Sequence, residues 1–443
     1  MTEWKREEGE ETIFRTCAWS PPGCHPVGCG LQVHVKNGVV VEVEGDPEHP
    51  ITKGALCPRC LALTEYVYHE DRIVHPMKRA REDRGLDKWE SCSWEEATDL
   101  VADAAREIIE QYGAETICVF GGTGREANYW YTQWANLVFG TPNAVYAQAG
   151  WSCYGPRISN TAFMLGGGYP EIDYAQKFAD RYEHEGWVAP EVVVCWGKEP
   201  LRSNPDGMYG HALIEMMRQF GTKVICVDPR IHWLGSRSEI VLQVNPGTDT
   251  AMAMAWIYVM DKEGLVDREW IDAWTYGYDE LVERCQTMPP SKAAEICGVP
   301  EDLIWKAARM YGSARPSALA WGLAVDENPN GTQLGQCLIA LMTITGFIDA
   351  PGGTTLGVGD DGGNRVHDGG GIDASQRIED ENDSTLMLAL KNGIMTQEMW
   401  DTKRIGVDKY PAVGSIMWTA HPDEFLKALE TEQPYKVHMA GFV

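Results

Sequence analysis

Apolar and polar residues alternate in two short runs near the start of the chain, Leu31-Gln32-Val33-His34-Val35 and Val39-Val40-Val41-Glu42-Val43, around Asn37-Gly38. A period of two argues for half-buried strands, and Asn-Gly favours a two-residue primed turn, so the pattern predicts a β-hairpin. Further on the period lengthens. Ser93-Trp94-Glu95-Glu96 has the form of a capping box, and Ala97, Leu100, Val101, Ala104, Ile108 and Ile109 continue it as one helical stripe that stops at Gly113. Continuous apolar runs follow at 116–120, 192–196, 223–227, 240–244 and 317–321, with helical stretches to about residue 139 and over 208–220 among them. Strands apolar on both faces and separated by helices predict a parallel sheet covered on both sides. Residues 352–371 include nine glycines in twenty positions, with Asp360-Asp361 and His367-Asp368 among them, which predicts an irregular loop. The last residues, 436–443, read as the start of a further strand with no partner after it.

In parallel sheets, ligands bind beyond the carboxyl ends of the strands. Gly197-Lys198-Glu199-Pro200, Asp228-Pro229-Arg230, Asn245-Pro246-Gly247-Thr248-Asp249 and Gly322 stand at those ends. Turn formers joined to charges on one rim point to a nucleotide-like ligand, with phosphate on backbone N–H groups and helix N-termini and Asp accepting from ribose or base. Ordinary helix capping, for instance by Asp249, is the competing reading. No GxGxxG occurs, and Gly121-Gly122-Thr123-Gly124 is too short a match for a phosphate loop.

Cysteine spacing adds chemistry to this frame. Cys17, Cys24 and Cys29 are separated by six and four residues, and 27 more precede Cys57 in Ala55-Leu56-Cys57-Pro58-Arg59-Cys60. Three thiolates on one loop and a fourth returned by the hairpin can close around a four-iron cluster, which needs four thiolate ligands. A structural zinc site and a set of unrelated buried thiols compete with that reading, although zinc sites usually show paired C-x2-C knuckles and only Cys57 and Cys60 have that spacing. Cys57 is taken as the fourth ligand. The thirteen cysteines are odd in number, and the first residues have no apolar targeting core, so reduced thiols in a cytoplasm are expected.

A net charge of −27 excludes nucleic acid as a partner, because that affinity comes from Lys and Arg on phosphates. The longest apolar run, 251–260, is half of a bilayer span, so no direct membrane insertion is expected. Seventeen Trp and seventeen Tyr call for a large core.

Together these segments, from Cys17 to about Gly353, resemble the molybdopterin oxidoreductases of the dimethyl sulfoxide reductase family. The resemblance implies an α/β fold in which an N-terminal iron-sulfur domain is followed by doubly wound α/β domains of the molybdopterin oxidoreductase type. Its expected bounds are 1–75 for the cluster, 76–150 for the first part of an α/β domain, 151–350 for a Rossmann-like pterin dinucleotide-binding domain and 351–443 for the glycine-rich loop and a return to the α/β domain. It implies a 4Fe-4S cluster on Cys17, Cys24, Cys29 and Cys57, with Arg59 between cluster and pterin. It also implies a molybdenum (or tungsten) bis-molybdopterin guanine dinucleotide held by Gly197, Lys198, Glu199, Asp228, Arg230, Gly247, Thr248 and Asp249. The stretch Gly150-Trp151-Ser152-Cys153-Tyr154-Gly155-Pro156-Arg157 is similar to the loop that supplies the metal's protein ligand, here Cys153, a suitably soft thiolate.

Cys17-Ala18-Trp19-Ser20-Pro21-Pro22-Gly23-Cys24-His25-Pro26 is most similar to the anaerobic branch of catechol dehydroxylases and acetylene-hydratase-like proteins. The hydratase carries Asp directly after its second cluster cysteine, where this chain has His25, which counts against hydration. Substrate reduction is the expected direction, with His25 and His367 as candidate proton donors against a structural reading of each. The alternatives are a non-redox hydratase and a metal-free electron-relay subunit of the same fold. A small-molecule substrate and an iron-sulfur electron-transfer subunit are the implied partners. The cluster spacing is longer than the family's usual C-x2-C-x3-C. Family enzymes continue into a C-terminal barrel, so the chain is expected to be a fragment or one piece of a split enzyme with an exposed apolar face.

Overall fold

The computed structural model describes residues 4–18, 29–49, 52–56, 58–121, 130–146, 155–166, 170–175, 178, 180–201, 207–356, 385–410 and 420–442. The chain divides into two compact units, Met1–Leu61 with Trp151–Gly370, and Ala62–Gly150 with Gly371–Val443.

In the first unit the predicted hairpin is present as Cys29–Lys36 and Val39–Gly45. Asn37 and Gly38 both take positive φ, +52° and +79°, as a type I′ turn requires. Two strands ahead of it, Lys5–Glu8 and Glu11–Ala18, complete a four-stranded antiparallel sheet. Neither showed in the sequence pattern. Lys5-Arg6-Glu7-Glu8 buries none of its side chains and is held as an edge strand by its backbone ladder to the next strand. One sequence expectation is corrected here: Cys17 and Cys29 are strand residues at neighbouring sheet positions, Cys17 opposite Gly30 and Ala18 opposite Cys29, rather than members of one loop.

The same unit holds the parallel sheet, in the spatial order Ile240–Leu242, Lys223–Val227, Val192–Trp196, Ser317–Trp321. Successive side chains of a strand point to opposite faces. Accordingly Val192, Val194 and Trp196 enter one apolar cluster with the helices Asp249–Lys262, Glu301–Ser313 and Gly331–Ile344, while Val193 and Cys195 enter another with Leu213 and Met216. Trp196 packs edge-on to Trp256 with ring centroids 5.5 Å apart. A buried side chain of that size, roughly 200 Å² at ~25 cal/mol per Å², contributes about 5 kcal/mol gross. The strand expected over 240–244 closes at Leu242, because the backbone turns before Asn245-Pro246, where proline has no N–H to continue a ladder. At the start of the glycine-rich stretch, Thr354–Leu356 pairs antiparallel with Pro170–Ile172, and the remainder of that loop through 384 lies outside the described residues.

The second unit is built on a parallel three-stranded sheet, Met439–Phe442, Ile117–Gly121, Ala144–Tyr146. The terminal strand therefore has a partner, but one more than 300 residues earlier in the chain, which local pattern could not reveal. Buried Asn143 ties this unit together. Its Nδ2 donates to Glu115 O and Tyr435 Oη, both at 2.7 Å, and its Oδ1 accepts from Ile405 N–H at 2.9 Å.

The capping box holds in half. Ser93 Oγ accepts from Glu96 N–H at 3.0 Å, but the Glu96 carboxylate pairs with Lys78 instead of turning back. The helix Trp94–Tyr112 then runs to Gly113, whose φ of +97° suits only glycine. Of its apolar stripe only part is covered: Ala105, which flanks the predicted positions, is buried, whereas Leu100 remains 50% exposed and Trp94 72%. Among the described residues no helix is long and apolar enough to cross a membrane.

Removing the one formed cap bond by Ser93→Ala should lower stability by about 1 kcal/mol. A urea unfolding curve measures it. An unchanged midpoint would show that the bond contributes nothing to this helix.

Candidate functional site

The ladder aligns Trp196 with Val227 on one side and with Trp321 on the other, so the chain leaves three adjacent strands at one level. The residues that follow, Gly197, Asp228 and Gly322, thereby meet at one edge and open a cavity of about 530 Å³. Close backbone approach is part of its construction. A Cβ on Gly322 would stand 2.0 Å from Gly197 O, and Gly197 itself has a φ of +55°.

Of the rim residues marked from sequence, Gly197, Lys198, Glu199, Asp228, Arg230, Gly247 and Asp249 line this one cavity. Thr248 is turned away from that role: its hydroxyl donates to Asn245 O. Asp249 opens the helix Asp249–Lys262 and accepts from Trp196 Nε1 at 2.9 Å and Asn328 Nδ2 at 3.1 Å, which bolts the helix start to the sheet edge.

The buried cations here are already matched. Lys198 Nζ lies 2.8 Å from Glu171 Oε2, both side chains at most 4% exposed. Arg157 Nη2 lies 2.8 Å from Asp326 Oδ2 and 2.9 Å from Trp321 O, with its guanidinium over the Trp321 ring. Burial pushes the Asp326 carboxyl up, and the adjacent Arg157 opposes that shift.

Acceptors are a different matter. His232 is buried between Glu199 and Asp228, with Nδ1 3.4 Å from Glu199 Oε1 and Nε2 3.7 Å from Asp228 Oδ2. The Gly235 N–H donates to that same Nδ1 at 3.2 Å. Among the described residues, Glu199 Oε1 and His232 Nε2 are buried with no hydrogen-bond partner. A buried carboxylate oxygen without a donor costs on the order of 1–3 kcal/mol, which a ligand N–H or O–H would recover. Asp228 Oδ1 accepts from the Arg230 N–H at 2.8 Å, and the Arg230 side chain is exposed. The cavity therefore suits a ligand that brings hydrogen-bond donors to carboxylates and lays a backbone-sized group against glycine. A nucleoside with a purine base and ribose hydroxyls fits that description.

At the cysteine-bearing end of the antiparallel sheet, Gly30 is packed against His49 so closely that a Cβ would stand 2.4 Å from the His49 side chain. Arg15 and buried Asp46 pair at 2.7 Å nearby. Desolvation and the Asp46 carboxylate both push the Cys17 thiol up. Cys29 and Cys60 are buried, and Arg59 is exposed on the short helix Pro58–Leu61. Cys24, His25, Cys57 and Cys153 lie outside the described residues. Cys17, exposed, and Cys29, buried, are one register step apart and so stand on alternate faces at this end of the sheet. Burial pushes the thiols of Cys195 and Cys226 up, that of Cys226 to about 11, in keeping with core residues.

Sequence reasoning missed His232, Asp326 and Asn328 and gave Arg157 no role. His232 follows Asp228 by four residues and was in reach of the motif; Arg157 and Asp326 stand 169 residues apart and carry no local signal.

Residues 72–412 match the family described as molybdopterin oxidoreductase, and residues 22–69 match the molybdopterin oxidoreductase Fe4S4 domain. Among curated proteins the chain is 29% identical to "Probable oxidoreductase YoaE" of Bacillus subtilis over 72% of this chain and 45% of that protein. It is 26% identical to acetylene hydratase of Syntrophotalea acetylenica over 93% of this chain and 54% of that protein. The solved structure of acetylene hydratase from Pelobacter acetylenicus superposes with a TM-score of 0.75 at 24% identity, covering 95% of this chain and 56% of that one, and so shares its fold. The chain spans about half the length of the curated relatives it matches.

Breaking the buried ion pair by Glu171→Gln would remove the carboxylate 2.8 Å from buried Lys198 and should cost about 3–5 kcal/mol, whereas a Glu171→Gln, Lys198→Met double variant should lose far less. Guanidinium unfolding of the two variants separates these outcomes. Equal losses would mean that the pair's charge is not what the cavity wall depends on.

Proposed function

The chain belongs to the molybdopterin oxidoreductase family, and we propose on that premise that it carries the cluster-bearing and dinucleotide-binding part of a molybdenum or tungsten enzyme. In this reading electrons pass through a 4Fe-4S cluster to a bis-molybdopterin guanine dinucleotide. The observation that carries it is the cavity at the sheet edge, where, among the described residues, Glu199 Oε1 is buried with no hydrogen-bond partner beside Asp228. Guanine offers adjacent N–H donors and its ribose offers hydroxyls, which match those carboxylates. Glycine at 322 lets its turn approach Gly197 O where a Cβ would collide, which brings the two strand ends together at the cavity.

When bound, the cofactor would supply a metal able to pass two electrons to a substrate whose oxygen or hydroxyl function is released, with protons, as water. The chain's residues do the rest. Cys153 supplies a thiolate to the metal, Cys17, Cys24, Cys29 and Cys57 hold the cluster, and Arg59 lies between cluster and pterin. His25 holds a proton for the departing oxygen. Reductive dehydroxylation of an aromatic small molecule is the substrate reading, with an iron-sulfur subunit as electron donor.

A second reading, non-redox hydration, draws support from the similarity to acetylene hydratase along 93% of this chain. Demand for an external electron donor discriminates the two. A metal-free electron-relay subunit is the third possibility that metal analysis decides.

Anaerobically purified protein should hold about four irons per chain with a paramagnetic signal on reduction. Cys29→Ser should abolish that signal. Cys153→Ala should keep it while turnover is lost and the molybdenum or tungsten spectrum changes. Zinc at full occupancy in place of iron would end the electron-transfer reading, and iron without molybdenum or tungsten would leave the relay alone.

A further inference from the structure

Glu199 and Asp228 line the cavity, and the ring of His232 sits between them, Nδ1 toward Glu199 Oε1 and Nε2 toward Asp228 Oδ2. The side chains of Glu199 and His232 are each 5% exposed and that of Asp228 9%. The ring's own turn fixes its orientation. Gly235 N–H donates to Nδ1 at 3.2 Å, and Ser236 N–H donates to His232 O at 2.9 Å. Turning the ring over would put a carbon where Gly235 has its acceptor. An imidazole nitrogen that accepts a hydrogen bond carries no proton, so the ring proton sits on Nε2.

That tautomer has a consequence for Glu199. Nδ1 turns a lone pair toward the carboxylate, and two acceptors 3.4 Å apart cannot bond to each other. Among the described residues Glu199 Oε1 accordingly has no donor, whereas Asp228 Oδ1 accepts from Arg230 N–H at 2.8 Å. A donor for Glu199 is left to whatever fills the cavity. Guanine carries an N–H and an amino group side by side on one edge. Adenine carries a ring acceptor beside its amino group, which sets lone pair against lone pair, and a buried polar group left unpaired is what makes a site reject an analogue.

We propose that His232 is a specificity-determining residue of this cavity: by committing its Nδ1 lone pair to Gly235 it keeps Glu199 Oε1 a bare acceptor, which selects a base with adjacent N–H donors. The inference rests on the reading that a nucleotide occupies the cavity. His232 acts through the carboxylate it faces. A side chain that could donate from the same place would satisfy Glu199 from within and remove the selection. Asparagine is such a side chain, because its Oδ1 can accept from Gly235 N–H while its Nδ2 donates to Glu199.

The test measures GDP and ADP binding to the 443-residue protein by titration calorimetry, together with the ¹⁵N shifts of its histidine rings, His232 being assigned by its loss in His232→Asn. The expected result is that the His232 Nδ1 shift is that of an unprotonated acceptor and that the wild type prefers GDP. Thermal unfolding should show His232→Asn folded, with its preference for GDP reduced on the order of tenfold. Glu199→Gln should lose the preference to the same extent, and the double variant should lose no more than either single one, because both changes act on one oxygen. A merely structural histidine would leave the GDP-to-ADP ratio unmoved. Should His232→Asn fail to fold, Glu199→Gln and the wild-type ring shift carry the test. A proton on Nδ1, equal wild-type affinity for the two nucleotides, or an undiminished preference in either folded variant would overturn the proposal while leaving the nucleotide reading in place. Wild-type protein that binds neither nucleotide at millimolar concentration would end that reading, and the proposal falls with it.

Discussion

The parallel ladder through Val192–Trp196 is the constraint on which the rest depends. Its side chains are apolar on both faces and are sealed by two separate clusters, so neither face can carry chemistry. Polar residues are driven to the strand ends. Because Trp196, Val227 and Trp321 lie level with one another, three loops from distant parts of the sequence leave the sheet side by side, and the cavity follows from register alone.

What distinguishes that cavity is how its charges are settled. Lys198 is neutralised by Glu171 and Arg157 by Asp326, each pair almost fully buried. Ion pairs of this kind contribute little net stability, since desolvation offsets attraction, but they fix geometry, and breaking one is costly. Asp249 is held by Trp196 and Asn328. Among the described residues, Glu199 Oε1 and His232 Nε2 stand apart from these satisfied groups, buried with no hydrogen-bond partner, and gaps of that kind call for an explanation that a ligand can supply.

Much of this was legible in the sequence where the signal was local. The hairpin turn at Asn37-Gly38, the cap at Ser93, the buried strands and the loops at their carboxyl ends all come from patterns a few residues long. What stayed hidden depended on partners far away. The strand Met439–Phe442 needs Ile117–Gly121, Arg157 needs Asp326, and the charged strand Lys5–Glu8 exists only because Glu11–Ala18 offers it a ladder. Thr248 shows a subtler limit, since a hydroxyl in a rim motif can spend its proton on its own turn.

The central claim is that the edge of the parallel sheet in the first unit receives the nucleotide end of the cofactor. Amide hydrogen exchange on the 443-residue protein, with and without millimolar GDP, addresses it most directly. The account predicts that GDP slows exchange in 197–199, 228–230, 247–249 and 322–329, that ADP does so less, and that the antiparallel sheet at 5–45 is unaffected. Protection confined to other segments, or none at these four loops at saturating GDP, would contradict it.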